Sequence, residues 1–464
     1  MNLGEGPVLN QCARIMIQGL AYPKLSPTEP IVFNYPPVYY LLTHAVAATG
    51  LDLLLAGRIV ALISMLGVAL VTGLLVYRVV PARLGRIPRF GGAALVVLSF
   101  GFRAVTRWAP IMRVDLPALL LTLAGMYCFV QRRMALAFVF FSLAMFTKHN
   151  FFSALAACLI VAAILGVSTL LRCLGAASAV ALPLLAGYVW WTGGEFLNHL
   201  VRYNIAPFSL RLMIDGMWRN FLDIRWVLCF AAPAVALATV KVIRARSVAR
   251  LRLGLRASRF RLALAAGALH WIFSLLISAS YGKFGSDFNY FLEWDLVSCW
   301  LGGMIFSIVV WKAQRTPRKV LLAAPALLIP MAGLLEMAPV ALRSFKPSSA
   351  TLEEAARTRE KYRELYRLVA AIPGPVISQD MTVVVQSGKK FQFEPDLIRH
   401  MTEVGSFDET PLIARVAAAE YGAIILYSSL DFIFTPRMAA AVRQNYEERQ
   451  TIGQFRIYRP RGAP

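Results

Sequence analysis

Repeated long apolar stretches constrain this chain more than any other feature. A helix needs about 20 mostly apolar residues to cross a hydrocarbon core of roughly 30 Å. The sequence offers stretches of this kind at 53–79, 90–108, 115–131, 134–147, 151–171, 173–192, 222–240, 262–280, 288–311 and 319–338, of which 134–147 is the shortest. They predict an all-α polytopic membrane domain of about ten spans. The composition agrees: of 464 residues, 58% are hydrophobic and 16% charged, with a mean hydropathy of +0.60.

A net charge of +23 would suit a nucleic-acid partner if it were gathered on one face. Before residue 340, however, Lys and Arg number 31 against 11 Asp and Glu, whereas beyond it the counts are 17 and 14. The excess sits in short clusters between apolar stretches, where lipid topology accounts for it, and nucleic-acid binding is disfavoured. Those clusters are Arg78, Arg83, Arg86 and Arg89; Arg132 and Arg133; Arg172; eight basic residues from Lys241 to Arg261; and Lys312, Arg315, Arg318 and Lys319. No acid lies among them, so these alternate loops are expected to face the cytoplasm. The acids Glu5, Glu29, Asp52, Asp115, Glu195, Asp215, Asp223, Asp287, Glu293, Asp295 and Glu336 fall in or beside the other loops. Every candidate catalytic carboxylate of this part is therefore expected on the outer side.

Ten crossings return the chain to its starting side, which puts 1–52 and 340–464 on the same outer face. No charged n-region with an apolar core opens the sequence, so no signal peptide is expected. With nothing to carry 1–52 across, a first helix is expected upstream of residue 1. The six cysteines are scattered without a paired spacing and read as small apolar residues.

Beyond Pro347 the pattern changes. Residues 351–372 read as a mixed-charge helix with a Leu and Tyr stripe, ended by Pro373-Gly374-Pro375. Short apolar runs follow at 376–378, 381–385, 391–393, 422–427 and 454–458, alternating with helix-like stretches near 409–420 and 435–447. This predicts a small C-terminal α/β domain over 340–464, after a first outer segment with interfacial helices (1–52) and a transmembrane domain (53–339).

The outer segments hold the candidate chemistry. The first carries Glu5 in a Gly-Glu-Gly turn, an amphipathic stretch from Gln11 to Gly19, and the run from Phe33 to Tyr40, which includes Asn34, Tyr35 and two prolines. The prolines impose an extended arrival, and the following run to Ala48, short for a span, is expected along the interface, where a lipid-tailed substrate would lie. In the second, Arg113 precedes Asp115 at the mouth of a helix, with Pro117 in its first turn. Asp115 is either a helix-terminal acid paired with Arg113 or a functional group converging with Glu5. Lys148, His149 and Asn150 occupy a tight turn, Arg202 to Asn204 form another outer segment, and Tyr281 to Glu293 make a glycine-punctuated polar loop with Lys283, Asn289 and Tyr290, suited to a phosphate or sugar. A lone cation in such places commonly anchors at the interface by snorkelling, and His149 reads as structural. No zinc spacing is present. No cofactor is firmly predicted, and a carboxylate-bound divalent metal stays open.

Taken in order, the acid in Gly4-Glu5-Gly6, the Tyr35-Pro36-Pro37-Val38-Tyr39-Tyr40 shelf, the Gly57-Arg58-Ile59-Val60-Ala61-Leu62-Ile63-Ser64 helix, the Arg113-Val114-Asp115 at an outer helix mouth and the Leu143-Ala144-Met145-Phe146-Thr147-Lys148 turn resemble the GT-C class of membrane glycosyltransferases. The likeness is to bacterial members akin to protein O-mannosyltransferases and the aminoarabinose transferase of lipid A (glycosyltransferase family 39-like), and it is best over residues 1–150. The resemblance implies a polyprenyl-phosphate sugar donor and an acceptor that is a lipid, glycan or protein. It implies a single inverting displacement on the outer face of a membrane, expected to be the bacterial cytoplasmic one. It makes Glu5 the first-loop catalytic acid and Asp115 the second; the paired acid common in that loop is absent before Gly4. Arg113, Lys148 and Lys283 are candidate phosphate contacts, with Asn34, Tyr35, Asn289 and Tyr290 as further substrate-binding candidates.

Two other classes compete. A transporter or flippase of lipid-linked substrates would place acids within spans and show symmetry between halves; neither is seen. A non-catalytic membrane scaffold would be indifferent to replacement of both Glu5 and Asp115.

Overall fold

The computed structural model describes residues 5–19, 21–315, 328, 329, 331–333, 335, 336, 339 and 349–462. Helix α1 (Glu5–Gln18) and helix α2 (Val38–Ala47) occupy the first segment. Helix α3 (Leu53–Val79) then runs 27 residues, matching the expected span. Asp52 starts it by accepting bonds from the Leu54 and Leu55 amides at 3.0 and 3.2 Å, which satisfies donors the first turn would otherwise strand.

The expected span at 90–108 is not one helix. It divides into α4 (Arg86–Ala94), a 3-10 segment (Leu95–Gly101) and α5 (Arg103–Trp108). Apolarity was read correctly, but Gly91, Gly92 and Gly101 weaken α-helix continuity. The glycine is needed for packing: a methyl group on Gly92 would stand 2.3 Å from the Gly303 carbonyl oxygen and 2.0 Å from Ser307 Oγ. Small residues of this kind let two membrane helices approach backbone to backbone.

Helices α6 (Asp115–Val130), α7 (Met134–Met145) and α8 (Ser153–Leu165) follow in expected places, but they are short. The 12 residues of α7 rise only about 18 Å. The next break lies at Gly166 rather than near Arg172, because Gly166 takes φ +133°, a backbone state that L side chains rarely adopt. Helix α9 (Val167–Trp191) therefore includes Arg172, whose exposed guanidinium turns back to the Ser168 carbonyl.

After α10 (Glu195–Leu200), helix α11 (Leu210–Ala245) extends well beyond the expected 222–240. The basic run 241–261, expected as a loop, instead ends α11, forms the short helix α12 (Val248–Ala257) and begins α13 (Arg259–Ser278). Ser247 and Ser258 cap α12 and α13. Helix α14 (Leu292–Arg315) follows. Among the described residues five helices are long and apolar enough to cross a membrane: α3, α9, α11, α13 with its 3-10 extension to Gly282, and α14. The expected span 319–338 lies largely outside the described residues.

Two ends of the bundle differ in chemistry. At one, Arg132 donates to the Leu255 and Arg256 carbonyls, and Arg252 and Arg256 donate to the last carbonyls of α8, at Ile164 and Leu165. At the other, α6 and α8 begin beside Asp115 and Glu293. The basic residues at 132 and 252–256 thus lie at the end away from Asp115 and Glu293, as the acid-free loops were expected to.

The C-terminal part begins with the helix Ser349–Ala371 and holds one sheet ordered β1-β2-β4-β3, with β1 (Val376–Ser378) parallel to β2 (Ala423–Leu426), and β4 (Phe455–Pro460) antiparallel to β2 and to β3 (Tyr446–Ile452). The apolar run at 381–385 is helical (Met381–Gln386) instead of extended, since Asp380 caps it through the Thr382 amide at 3.0 Å. The helix-like stretch 435–447 ends earlier, at Asn445, where β3 begins. This part is fastened to the first segment: Arg14 donates to the Phe391 carbonyl at 2.6 Å and Lys390 pairs with Glu29 at 2.6 Å.

Candidate active site

Asp115 opens α6, where an acid is favoured by the helix dipole. Its side chain is fully buried, so its charge must be met by partners rather than by water. Lys148, 4% exposed, pairs with Oδ1; Asn289 Nδ2 donates to the same oxygen at 2.8 Å; and Arg113 Nε lies 3.7 Å from Oδ2. Three separate regions of sequence supply this cluster. The turn after α7 puts Lys148 there through its amide bond to the Ala144 carbonyl, and a 3-10 turn (Phe288–Tyr290) delivers Asn289.

Aromatic rings close around the cations. The Arg113 guanidinium carbon is 5.7 Å from the Tyr35 ring centroid, and Lys148 Nζ is 5.0 Å from that of Tyr290 and 5.5 Å from that of Phe151. Tyr22 fixes the Tyr35 carbonyl at 2.8 Å, and the Val38 amide donates to the Phe146 carbonyl at 3.1 Å, tying the first segment to the Lys148 turn. Beside Tyr35, Asn34 Oδ1 is buried without a hydrogen-bond partner. Six of the expected residues, Tyr35, Arg113, Asp115, Lys148, Asn289 and Tyr290, therefore meet in one place.

Glu5 does not touch Asp115. Its buried carboxylate receives Arg58 Nε at 2.8 Å and Nη2 at 2.6 Å, and the Met112 amide at 2.7 Å. The two acids are joined indirectly, through the strand of chain from 112 to 115. Met112 sits on Gly57, where a methyl group would come within 2.3 Å of its side chain, so the start of α3 is pressed against this strand. Arg58 was legible only as part of the Gly-Arg-Ile-Val motif.

Lys283 stands apart from the cluster, donating to the Asn204 carbonyl, and burial lowers its pKa. Burial, then the charges of Lys148 and Lys283, push the His149 pKa down to about 4. Two further groups were not singled out as site residues, although Glu293 ends the polar 281–293 loop. Glu293 accepts bonds from Ser153 and His270 inside the bundle, one turn beyond Tyr290. From the C-terminal part, Glu394 faces Arg113; burial and the neighbouring Asp396 push its pKa up to about 8 against the pull of that guanidinium. A carboxylic residue between Phe393 and Pro395 was the available hint. Among the described residues, no group of three or more His, Cys, Asp or Glu is placed to hold a metal ion.

Chemically, this is a nearly dry acid held between two cations and hydrogen-bond donors, with tyrosines on its rim. It can position an anion and accept a proton.

No protein-family model and no curated protein matches the chain. Solved structures do. The crystal structure of ArnT from Cupriavidus metallidurans bound to undecaprenyl phosphate is 14% identical, with 98% of this chain and 93% of that one aligned at a TM-score of 0.57. Its apo state gives 11% identity, 98% and 92% coverage and a TM-score of 0.59. The archaeal oligosaccharyltransferase AglB from Archaeoglobus fulgidus, in complex with an inhibitory peptide and a dolichol-phosphate, is 11% identical, with 99% and 70% coverage and a TM-score of 0.56. At such identities the likeness is one of fold, and the fold is the GT-C fold that the sequence resemblance implied.

Proposed function

We propose that this protein transfers a sugar from a polyprenyl-phosphate donor to an acceptor at the outer face of a membrane. The observation that carries the reading is the buried Arg113–Asp115–Lys148 cluster: a carboxylate flanked by two cations at one end of a GT-C bundle. Solved proteins of the same fold carry undecaprenyl phosphate or dolichol-phosphate, which supports a lipid phosphate as the anion bound here.

In the reaction, an acceptor hydroxyl attacks the anomeric carbon, the bond from that carbon to the phosphate oxygen breaks, and its electron pair leaves with the polyprenyl phosphate. Arg113 and Lys148 would stabilise the charge gathering on the leaving phosphate, an effect that is larger in a water-poor site than in bulk, and Lys283, apart from them, would be a separate phosphate contact. Asp115 would orient or receive the acceptor proton. Glu5, held by Arg58 and the Met112 amide, would set the position of the 112–115 strand or take the proton itself. Asn34, Tyr35, Asn289 and Tyr290 would line the donor headgroup. The single displacement inverts the anomeric configuration.

The proposed division is a first outer segment (1–52), a transmembrane glycosyltransferase domain (53–339) and an outer C-terminal domain (340–464). The charge sorting supports an outward-facing site by the positive-inside rule, and the proposed setting is the bacterial cytoplasmic membrane. The transferred sugar would be a hexose or pentose.

The test is transfer of radiolabelled sugar from a panel of hexosyl and pentosyl undecaprenyl phosphates to extracted envelope lipids, glycans or peptides, by purified protein beside Glu5→Gln and Asp115→Asn. Donor-dependent transfer that either substitution abolishes is expected. Folded protein that neither binds undecaprenyl phosphate nor transfers from any donor would overturn the reading.

A further inference from the structure

The end of the bundle opposite Asp115 holds a cavity away from the candidate active site. Helices α11, α12 and α13 surround this cavity of about 330 Å³. Lys241, Arg244, Arg250 and Arg261 line it together with Ala238, Leu251, Gly254, Leu255 and Leu264. The four cations are exposed, while Ala238, Leu255 and Leu264 are buried, so the cavity has a charged rim and an apolar floor.

Topology alone would explain basic residues at this end, but it does not explain a cavity. Two neighbouring arginines of α12, Arg252 and Arg256, are committed to closing the end of α8. The rim cations have no acid near them in sequence: from 224 to 286 the chain contains no Asp or Glu. Among the described residues none of these four cations pairs with an acid, so like charges face one cavity, and an anion in their midst relieves that cost. Gly254 keeps the space open, since a methyl group on it would sit 3.2 Å from Arg261 Nη1 and begin to fill the gap under that guanidinium. An apolar floor beneath a cationic rim, at the level where α11 ends and α13 begins, matches a phosphodiester with acyl chains attached rather than a fully hydrated ion.

We propose that the cavity between α11, α12 and α13 binds the headgroup of an anionic phospholipid. Arg250 and Arg261 clasp the phosphodiester, Lys241 and Arg244 complete the positive rim, and the first acyl carbons rest on Leu255 and Leu264. Bound in this way, the lipid would pin the short helix α12 against its two long neighbours. The site is independent of the reaction proposed above, and its test needs no turnover.

The experiment is native mass spectrometry of the full chain in detergent, titrated with dioleoyl phosphatidylglycerol, dioleoyl phosphatidylcholine or inorganic phosphate. Retention of phosphatidylglycerol about tenfold tighter than phosphatidylcholine is expected, with millimolar inorganic phosphate failing to displace it. Gly254→Leu, which leaves every charge in place, should weaken phosphatidylglycerol binding at least about fivefold, as should the double variant Arg250→Gln/Arg261→Gln. Arg246→Gln and Arg259→Gln, outside the cavity lining, should not. Equal retention of both lipids, displacement by inorganic phosphate, or equal weakening by the lining and non-lining variants would each overturn the proposal, the last by showing diffuse attraction to a basic surface. An unchanged size-exclusion profile, required of every variant, separates lost binding from lost folding.

Discussion

Asp115 and Lys148 should behave as one unit, and a double-mutant cycle can measure it. Removing one member of a buried ion pair costs about 3–5 kcal/mol, mostly because the other is stranded. In Lys148→Met, Asp115 still keeps Asn289 at 2.8 Å and Arg113 at 3.7 Å, so the low end of that range, ~3 kcal/mol, is expected. Asp115→Asn strands Lys148 against the rings of Tyr290 and Phe151, at 5.0 and 5.5 Å. Those rings attract a cation weakly, and the amine can shed its proton, which sets the loss nearer ~2 kcal/mol. The double variant strands neither charge and should lose ~2–3 kcal/mol in all, instead of the ~5 kcal/mol that independent losses would give. The coupling is then about 2–3 kcal/mol, readable from reversible SDS-induced unfolding in mixed micelles. Additivity to within about 0.5 kcal/mol would refute the pairing and with it the electrostatic account of the site. In sugar transfer, Asp115→Asn should cost at least about tenfold, or ~1.4 kcal/mol of transition-state stabilisation, and wild-type turnover would remove Asp115 from the mechanism.

Glu5→Gln should lower transfer by about tenfold or more, because the neutral amide loses the bidentate Arg58 contact that steadies the 112–115 strand; Arg58→Met should reproduce the loss if Glu5 acts by positioning, and a rate unchanged by Arg58→Met would argue for direct chemistry at Glu5. Gly303→Val should abolish monodisperse protein after detergent extraction, since a methyl group there already lies 2.5 Å from the Gly92 carbonyl oxygen; normal yield and elution would contradict the close crossing of α4 and α14. His149, held down to about 4, stays neutral in the folded protein while the unfolded chain takes up a proton below its ordinary value of 6.5, so stability should fall as pH falls from 6.5 towards 4. His149→Gln should flatten that slope in unfolding measured at pH 7 and pH 5. Glu394 works in the opposite direction: raised to about 8, it stays protonated in the folded protein while the unfolded chain ionises above 4.5, so its contribution is full below 4.5 and is lost as pH rises through 8. Glu394→Gln should remove that decline, and a slope equal to wild type between pH 5 and pH 8 would show that burial does not hold Glu394 protonated.

Much of the site was legible because its residues are rare where they occur. Asp115, Lys148, Asn289 and Tyr290 are polar groups beside long apolar runs, and burying such groups is costly unless they meet partners. Their convergence then followed from all lying at the same end of the bundle. Arg58, His270 and Glu394 were harder to see. The first two lie inside helical apolar patterns and the third in a short apolar run of the C-terminal part, and nothing local distinguishes a buried partner from a surface residue. The Glu5–Asp115 link was expected as convergence; it is instead made through Arg58 and a backbone amide, contacts between residues roughly 50 and 100 positions apart.

Hydropathy and charge along the chain determined by themselves that helices such as α3 form, that the acid-free basic clusters gather at the end away from Asp115, and that a small α/β part follows the helices. These depend on partition between water and lipid and on local capping, which are properties of a segment alone. Only the tertiary structure decided that 90–108 would break to lay Gly92 on Gly303, that Gly166 would turn the chain before Arg172, and that the basic run would fold as α12 around a cavity. Each of those outcomes depends on which face of a helix meets which neighbour, and an apolar stretch reads the same in sequence whichever face that is.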